Sequence, residues 1–148
     1  MTDPVPDGGD DELRTVATIV GTVELDRALR EHGENAAAAA RAIADPHLGA
    51  AVVIVDAGGG ARLAIAEPTT EGRLAASLAR HDEGPLGEYV ALRPGDTLAA
   101  YRHRAAASGV PVSRVEPGPF GPSVLVLARP ATGPHLIVVE SRSIPSGR

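Results

Sequence analysis

Three side chains in the extended, apolar stretches of this 148-residue sequence could do chemistry on a small molecule: Arg62, Tyr89 and His135, with Glu88 next to the second. Arg62 can anchor a carboxylate or stabilise a developing oxyanion through its fixed fork of donors. Tyr89 can donate a proton or a hydrogen bond, and His135 can exchange a proton near neutral pH. Glu88 would complete an acid–base pair. His81, Asp82 and Glu83 are metal-ligating types, but consecutive linker residues rarely converge on one ion. His32 and His103 sit among Arg and Glu at helical positions and read as surface; Tyr101 reads as core; His47, in ADPHLGA, has no assigned role. Other chemistry is excluded outright. Lys is absent, so no Schiff base or P-loop lysine exists; Cys is absent, so there is no thiolate nucleophile, disulfide or cysteine metal site.

These residues must be positioned by short elements. The β-branched run from Arg14 to Val23 predicts a strand, after which Leu25, Ala28 and Leu29 shift to helical spacing that Gly33 ends. Asn35 can cap an alanine-rich helix over 36–44, which Asp45-Pro46 terminates. Ala50–Val55 and Ala61–Glu67, separated by DAGGG, predict an antiparallel hairpin. Thr70 can cap a short helix carrying Leu74 and Leu78. The order then recurs: a strand over 87–92, a helix capped by Asp96 and stopped by Gly109, a short strand over 112–115, and a hairpin of Ser123–Ala128 with His135–Glu140. The two hairpins align at a constant offset of 73 positions, pairing Val52 with Leu125, Gly60 with Gly133, Leu63 with Leu136 and Glu67 with Glu140. A spacing shared through strand, turn and strand indicates duplication. The expected organisation is an acidic tail over 1–12, a first module over 13–69, a linking helix and loop over 70–85, a second module over 86–141 and a tail over 142–148.

The pieces VELDRAL, AIAEP followed by LARHDEGP, and GDTLAAYRHRAAASGVPV followed by GPFGPSVLVLARPATGPHLIVVES cover almost everything between the tails. In this order they resemble the vicinal oxygen chelate superfamily, in its methylmalonyl-CoA epimerase and glyoxalase branch. The resemblance implies an α+β fold: two tandem βαβββ modules, a mixed sheet curled into a cup, helices outside, and a homodimer. It also implies a divalent metal at the cup floor, held by His, Gln or Glu from four strands. Those positions fall here on Ala17, Ala64, Ile137 and either Gly87 or Tyr89, none of which is a usual ligand. No metal and no cofactor are therefore expected. Alternation puts Arg62 with Ala64 and Ala66, Tyr89 with Gly87 and Ala91, and His135 with Ile137 and Val139 on the cup side. The expected site has Ala17, Ala64 and Ile137 as an aliphatic substrate-binding floor, and Arg62, Tyr89 and His135 nearer the rim. Glu67 and Glu140 then face away, unless a one-residue register shift brings both inside.

The resulting expectation is a metal-independent enzyme performing epimerisation, isomerisation or cyclisation on a mostly apolar carbonyl compound. Tyr89 and His135 would be the catalytic residues, and Arg62 and Glu88 would bind substrate. A binding protein like those of bleomycin resistance is the alternative, and a metal-dependent epimerase the third reading. Net charge of −5, pI near 5.5 and scattered Arg speak against a nucleic-acid partner. No apolar run approaches the roughly 20 residues of a membrane span, and the acidic start is unlike a signal peptide, so a cytoplasmic protein is expected. The Ala-, Arg- and Gly-rich, Lys-free composition looks like that of a high-GC bacterium, and specialised metabolism is the expected setting.

Overall fold

The computed structural model describes residues 13–130 and 132–144; both expected tails, apart from the segment up to Ile144, lie outside them. The β-branched opening forms β1 (Leu13–Gly21), and Leu25, Ala28 and Leu29 bury one stripe of α1 (Leu25–Glu31). The five alanines do not make the expected α-helix over 36–44. They form one 3-10 stretch, Ala36–Arg41, with Asn35 Oδ1 accepting the Ala37 amide at 2.9 Å, and Ile43–Asp45 becomes a short edge strand, β2. The open edge of β3 (Ala50–Gly58) decides this, because pairing Ile43 with Val52 and Asp45 with Ala50 satisfies backbone groups that a short helix end would leave open. β3 returns through Gly58, Gly59 and Gly60, all at positive φ, into β4 (Ala61–Pro68).

Thr70 does not cap the next helix. α2 (Arg73–His81) starts after Gly72, and its Leu74 amide donates to the Leu48 carbonyl at 3.1 Å, so a tertiary bond sets its origin. The second half comprises β5 (Gly84–Leu92), α3 (Leu98–Ala107), β6 (Ser123–Leu125) and β7 (His135–Val139), followed by a 3-10 turn, Ser141–Ser143. Thr97, not Asp96, is the cap of α3: its Oγ1 accepts the Ala100 amide, while Asp96 holds the Thr97 amide and pairs with Arg104 at 2.7 Å. The expected strand over 112–115 is reduced to isolated bridges, Val112 with Val126 and Glu116 with Ser123, in a segment bounded by Pro111 and Pro117.

The seven strands form one mixed sheet in the order β2-β3-β4-β1-β5-β7-β6, curled into a half-barrel with three α-helices. β1 joins the two repeats, parallel to β4 and antiparallel to β5. On the outer face Val53, Val55 and Ile65 pack on α1, and Val90, Leu92, Val124 and Val138 pack on Leu98 of α3. Glu67 and Glu140 belong to that outer side. Glu67 Oε1 accepts the Leu25 amide and Glu140 Oε2 the Leu98 amide, each carboxylate sitting at a helix N-terminus where dipole and free N–H groups favour it. Among the described residues no helix is long and apolar enough to cross a membrane.

Candidate active site

The inner face is arranged in rows. Ala17, Tyr89, Ile137 and Leu125 stand side by side on β1, β5, β7 and β6, and Ile54, Ala64, Ile19, Gly87 and His135 form the adjoining row across five strands. Ala17, Ala64 and Ile137 thus lie on the cup floor, each no more than 1 % exposed. Tyr89 is in the middle of that floor rather than near the rim, and is itself 1 % exposed.

The cup is not the open hollow expected from the sequence. Leu48, Leu74, Leu78, Leu86 and Phe120 pack into it against the floor. Sharp turns and small residues permit this: five alanines line the inner face, at positions 17, 50, 64, 66 and 91, and leave room for larger side chains arriving from the turn after β2 and from α2. Phe120 meets the Tyr89 ring edge-on, with centroids 5.2 Å apart.

Asp45 is the residue that sequence reasoning missed. It ends β2, fully buried, and the curl of the sheet carries its Oδ2 across the hollow to accept the Tyr89 hydroxyl at 2.5 Å. Its Oδ1 accepts the His47 amide at 2.9 Å and, more weakly, the Leu48 amide at 3.4 Å. Burial pushes the Asp45 carboxyl up from its ordinary value, opposed by the Tyr89 hydroxyl, by the nearby His47 and by these amides. Burial, with the Asp45 charge next in importance, holds Tyr89 well above the usual phenol value, so it remains a proton donor. His47 continues the closure: its Nε2 donates to the Ser123 carbonyl at 3.1 Å, tying the turn after β2 to the strand at the far edge of the sheet. Asp45-Pro46 reads in sequence as a helix terminator, and a three-residue strand is too short for alternation to reveal which face its carboxylate takes.

His135 is on the cup side, but it is not a rim residue titrating near neutrality. It is 1 % exposed, its Nε2 lies 2.6 Å from the Ser77 hydroxyl of α2, and its Nδ1 makes no hydrogen bond of standard geometry among the described residues. Burial, aided by Arg73, lowers it to about 4, which keeps the ring neutral at pH 7. Gly87 makes room for it: a Cβ there would fall 2.4 Å from the His135 carbonyl oxygen. Glu88 is not in the cup. It shares the outer face with Val90 and accepts the Thr15 hydroxyl, because the strand period of two places it opposite Tyr89. Arg62, paired with Asp56 near the β3–β4 turn, shares the inner face of β4 with Ala64 and Ala66 at partial exposure, at the end of the cup.

The four floor positions do not fit a divalent metal. They offer two methyl groups, a sec-butyl group and either a glycine or a phenol, and the phenol is engaged by Asp45. His81, Asp82 and Glu83 do not converge either. Glu83 accepts the Val23 amide at 2.8 Å, the Thr22 hydroxyl at 2.9 Å and Arg27 at 2.7 Å, bonds that bring its carboxyl down to about 2, led by the Val23 amide. Among the described residues no group of three or more His, Asp or Glu is placed to hold a metal ion.

No family profile matches the sequence, and no curated protein matches it significantly. Solved structures do. Methylmalonyl-CoA epimerase from Mycobacterium tuberculosis is 16% identical, superposes with a TM-score of 0.68 and covers 85% of this chain and 86% of its own. A substituted methylmalonyl-CoA epimerase from Streptomyces coelicolor, in complex with 2-nitronate-propionyl-CoA, is 17% identical with a TM-score of 0.68, covering 91% of this chain and 99% of its own. A further methylmalonyl-CoA epimerase, bound to methylmalonyl-CoA and ammonium, is similar at the same identity, TM-score and coverage. With its βαβββ half followed by a βαββ half, central β1–β5 junction and inward-curled sheet, the chain has the vicinal oxygen chelate fold.

Proposed function

We propose that the chain is a metal-independent enzyme that carries out acid–base chemistry, an epimerisation, isomerisation or cyclisation, on a small and mostly apolar carbonyl compound. One observation carries this reading: the Tyr89 phenol and the Asp45 carboxylate are bonded to each other in a cup lined mainly by alanine and aliphatic side chains. A buried carboxylate carries a desolvation penalty of several kcal/mol, and apolar residues of similar volume are often at least as stable. The pair is therefore better explained by chemistry than by packing. A substrate carbonyl that takes Asp45's place receives the Tyr89 hydrogen bond. The released carboxylate, whose proton affinity burial raises, accepts the proton from the adjacent carbon. The C–H electron pair becomes the C–C π bond and the carbonyl π pair moves to the oxygen that Tyr89 stabilises. Return of the proton to the opposite face, or to another carbon, completes the reaction. Arg62 at the end of the cup serves an acidic group on the substrate, and His135 is a neutral positioning residue. Neighbours of the same fold that bind acyl-CoA compounds support a carbonyl-bearing ligand. A cytoplasmic homodimer belongs to the same reading.

Binding without turnover is the second reading, favoured by the side chains that already fill the cup. The test is mass spectrometry of acyl-CoA esters and short 2-oxo acids incubated with the purified chain in D2O. Deuterium entering the carbon next to the carbonyl, unaffected by prior dialysis against EDTA, is the expected result. Stoichiometric capture with no exchange favours the binding protein, and exchange lost on dialysis and restored by cobalt or magnesium overturns metal independence.

A further inference from the structure

We propose that the cup is occupied by its own chain, and that the Asp45–Gly49 turn stands where a short, branched aliphatic acid binds. The inference deepens the reading above, since it takes the cup as the working site, but it concerns what the cup recognises.

The turn presents a carboxylate followed, three residues on, by an isobutyl group. Asp45 places its carboxylate on Tyr89, and Leu48, with no exposed surface, places its side chain in the same cluster as the floor alanines and Phe120. The receiving surface therefore has one donor for an anionic oxygen and a methyl-lined space for a branched chain. A ligand with those two features replaces the turn's side chains like for like: Tyr89 keeps an anionic acceptor, and the apolar volume stays filled. An isosteric alcohol would offer Tyr89 a weaker, neutral acceptor and would leave the displaced carboxylate without replacement.

The fastenings divide into two sets. Asp45 on Tyr89 and His47 on Ser123 cross the hollow, one side-chain bond each. The root is backbone-anchored, with Thr69 donating to the Gly49 carbonyl at 2.8 Å and Leu74 to the Leu48 carbonyl. Gly49, at φ +67, makes the turn, and a Cβ there would meet the Thr70 hydroxyl at 2.8 Å. Loss of the Asp45–Tyr89 bond releases the carboxylate from the phenol, while the Asp45 backbone stays paired with Ala50 of β3. Because the internal carboxylate is tethered, it competes at high effective concentration and weakens the affinity for a free acid.

The experiment is an NMR titration of the full, isotopically labelled chain with isovalerate, and in parallel with 3-methylbutan-1-ol as the neutral control. Saturable shifts of the His47, Leu48 and Gly49 amides with isovalerate, and none with the alcohol, are expected. In Asp45→Ala the tethered competitor is gone and isovalerate binds at least about tenfold more tightly, whereas Tyr89→Phe abolishes binding. Absence of any shift in the wild-type chain, or equal shifts with acid and alcohol, overturns the proposal; the wild-type titration decides alone if Asp45→Ala does not fold. The two readings fail separately. Deuterium exchange without isovalerate binding removes the self-occupied cup and leaves the catalysis, and isovalerate binding with no exchange in any carbonyl compound does the reverse.

Discussion

Glu140 accepts the backbone amide of Leu98 at 2.8 Å, 42 residues before it, and Glu67 accepts that of Leu25 at 3.3 Å across the same separation of 42. Each repeat thus closes on itself by the same device: the carboxylate that ends its last strand holds the first amide of its own helix.

The bond lengths rank the two devices. Loss of a side-chain acceptor at a helix start costs about 0.5–2 kcal/mol. Glu140→Ala is expected near the upper end of that range, since Glu140 is 9 % exposed and its bond is short, and Glu67→Ala near the lower end. Urea unfolding midpoints of the two variants check this, and an equal or reversed order would show that the bonds do not carry the difference.

Gly87 is expected to accept no side chain. In Gly87→Ala the new methyl group would be 2.4 Å from the His135 carbonyl oxygen and 2.8 Å from its nitrogen, both backbone atoms of the paired strand. The strands must part, at a cost of about 3 kcal/mol or more. Gly60→Ala, with nothing within 4 Å, meets only the strain of its φ of +82 and should cost about 1 kcal/mol. Thermal denaturation of the pair distinguishes steric from conformational cost.

His135 sets a pH dependence. Its folded value of about 4 lies below its ordinary 6.5, so the unfolded chain binds the extra proton between those values. Its contribution is fully present above about 6.5 and is lost as pH falls towards 4. His135→Gln should flatten the stability profile in that window, read from urea midpoints at successive pH values. An unchanged slope would mean that the ring is not held neutral.

Tyr89→Phe removes the hydroxyl on which Asp45 depends. The variant should lose about 1–3 kcal/mol at pH 7, the cost of a buried acceptor left without its partner. The Asp45 carboxyl is already raised by burial, and loss of the Tyr89 hydrogen bond raises it further. A raised carboxyl favours the fold when protonated, so the deficit should shrink as pH falls towards the ordinary carboxylate range. Calorimetry at pH 7 and pH 5 measures the difference; a constant deficit would place the loss in packing rather than in charge. Wild-type deuterium exchange in this variant would remove Tyr89 from the chemistry.

Much of the architecture is legible in the order of residues, because strand alternation and helical spacing are local properties. Ala17, Ala64, Tyr89 and Ile137 can be put on one face from their places in four apolar runs, and the recurring spacing of the hairpins exposes the repeat. The absence of metal-ligand types at those positions is likewise a property of the sequence alone. Distance across the sheet is not. The strand containing Asp45 is separated from that of Tyr89 by three others in sheet order and meets it only because the sheet curls, and Ser77 reaches His135 only because α2 docks against the inner face. A long-range fold contact also made a strand of Ile43–Asp45, since the edge of β3 pairs their backbone groups. The chain's local chemistry thus determined which strand residues face the cup, whereas curvature and docking decided what fills it, which carboxylate meets the phenol, and that the histidine is buried.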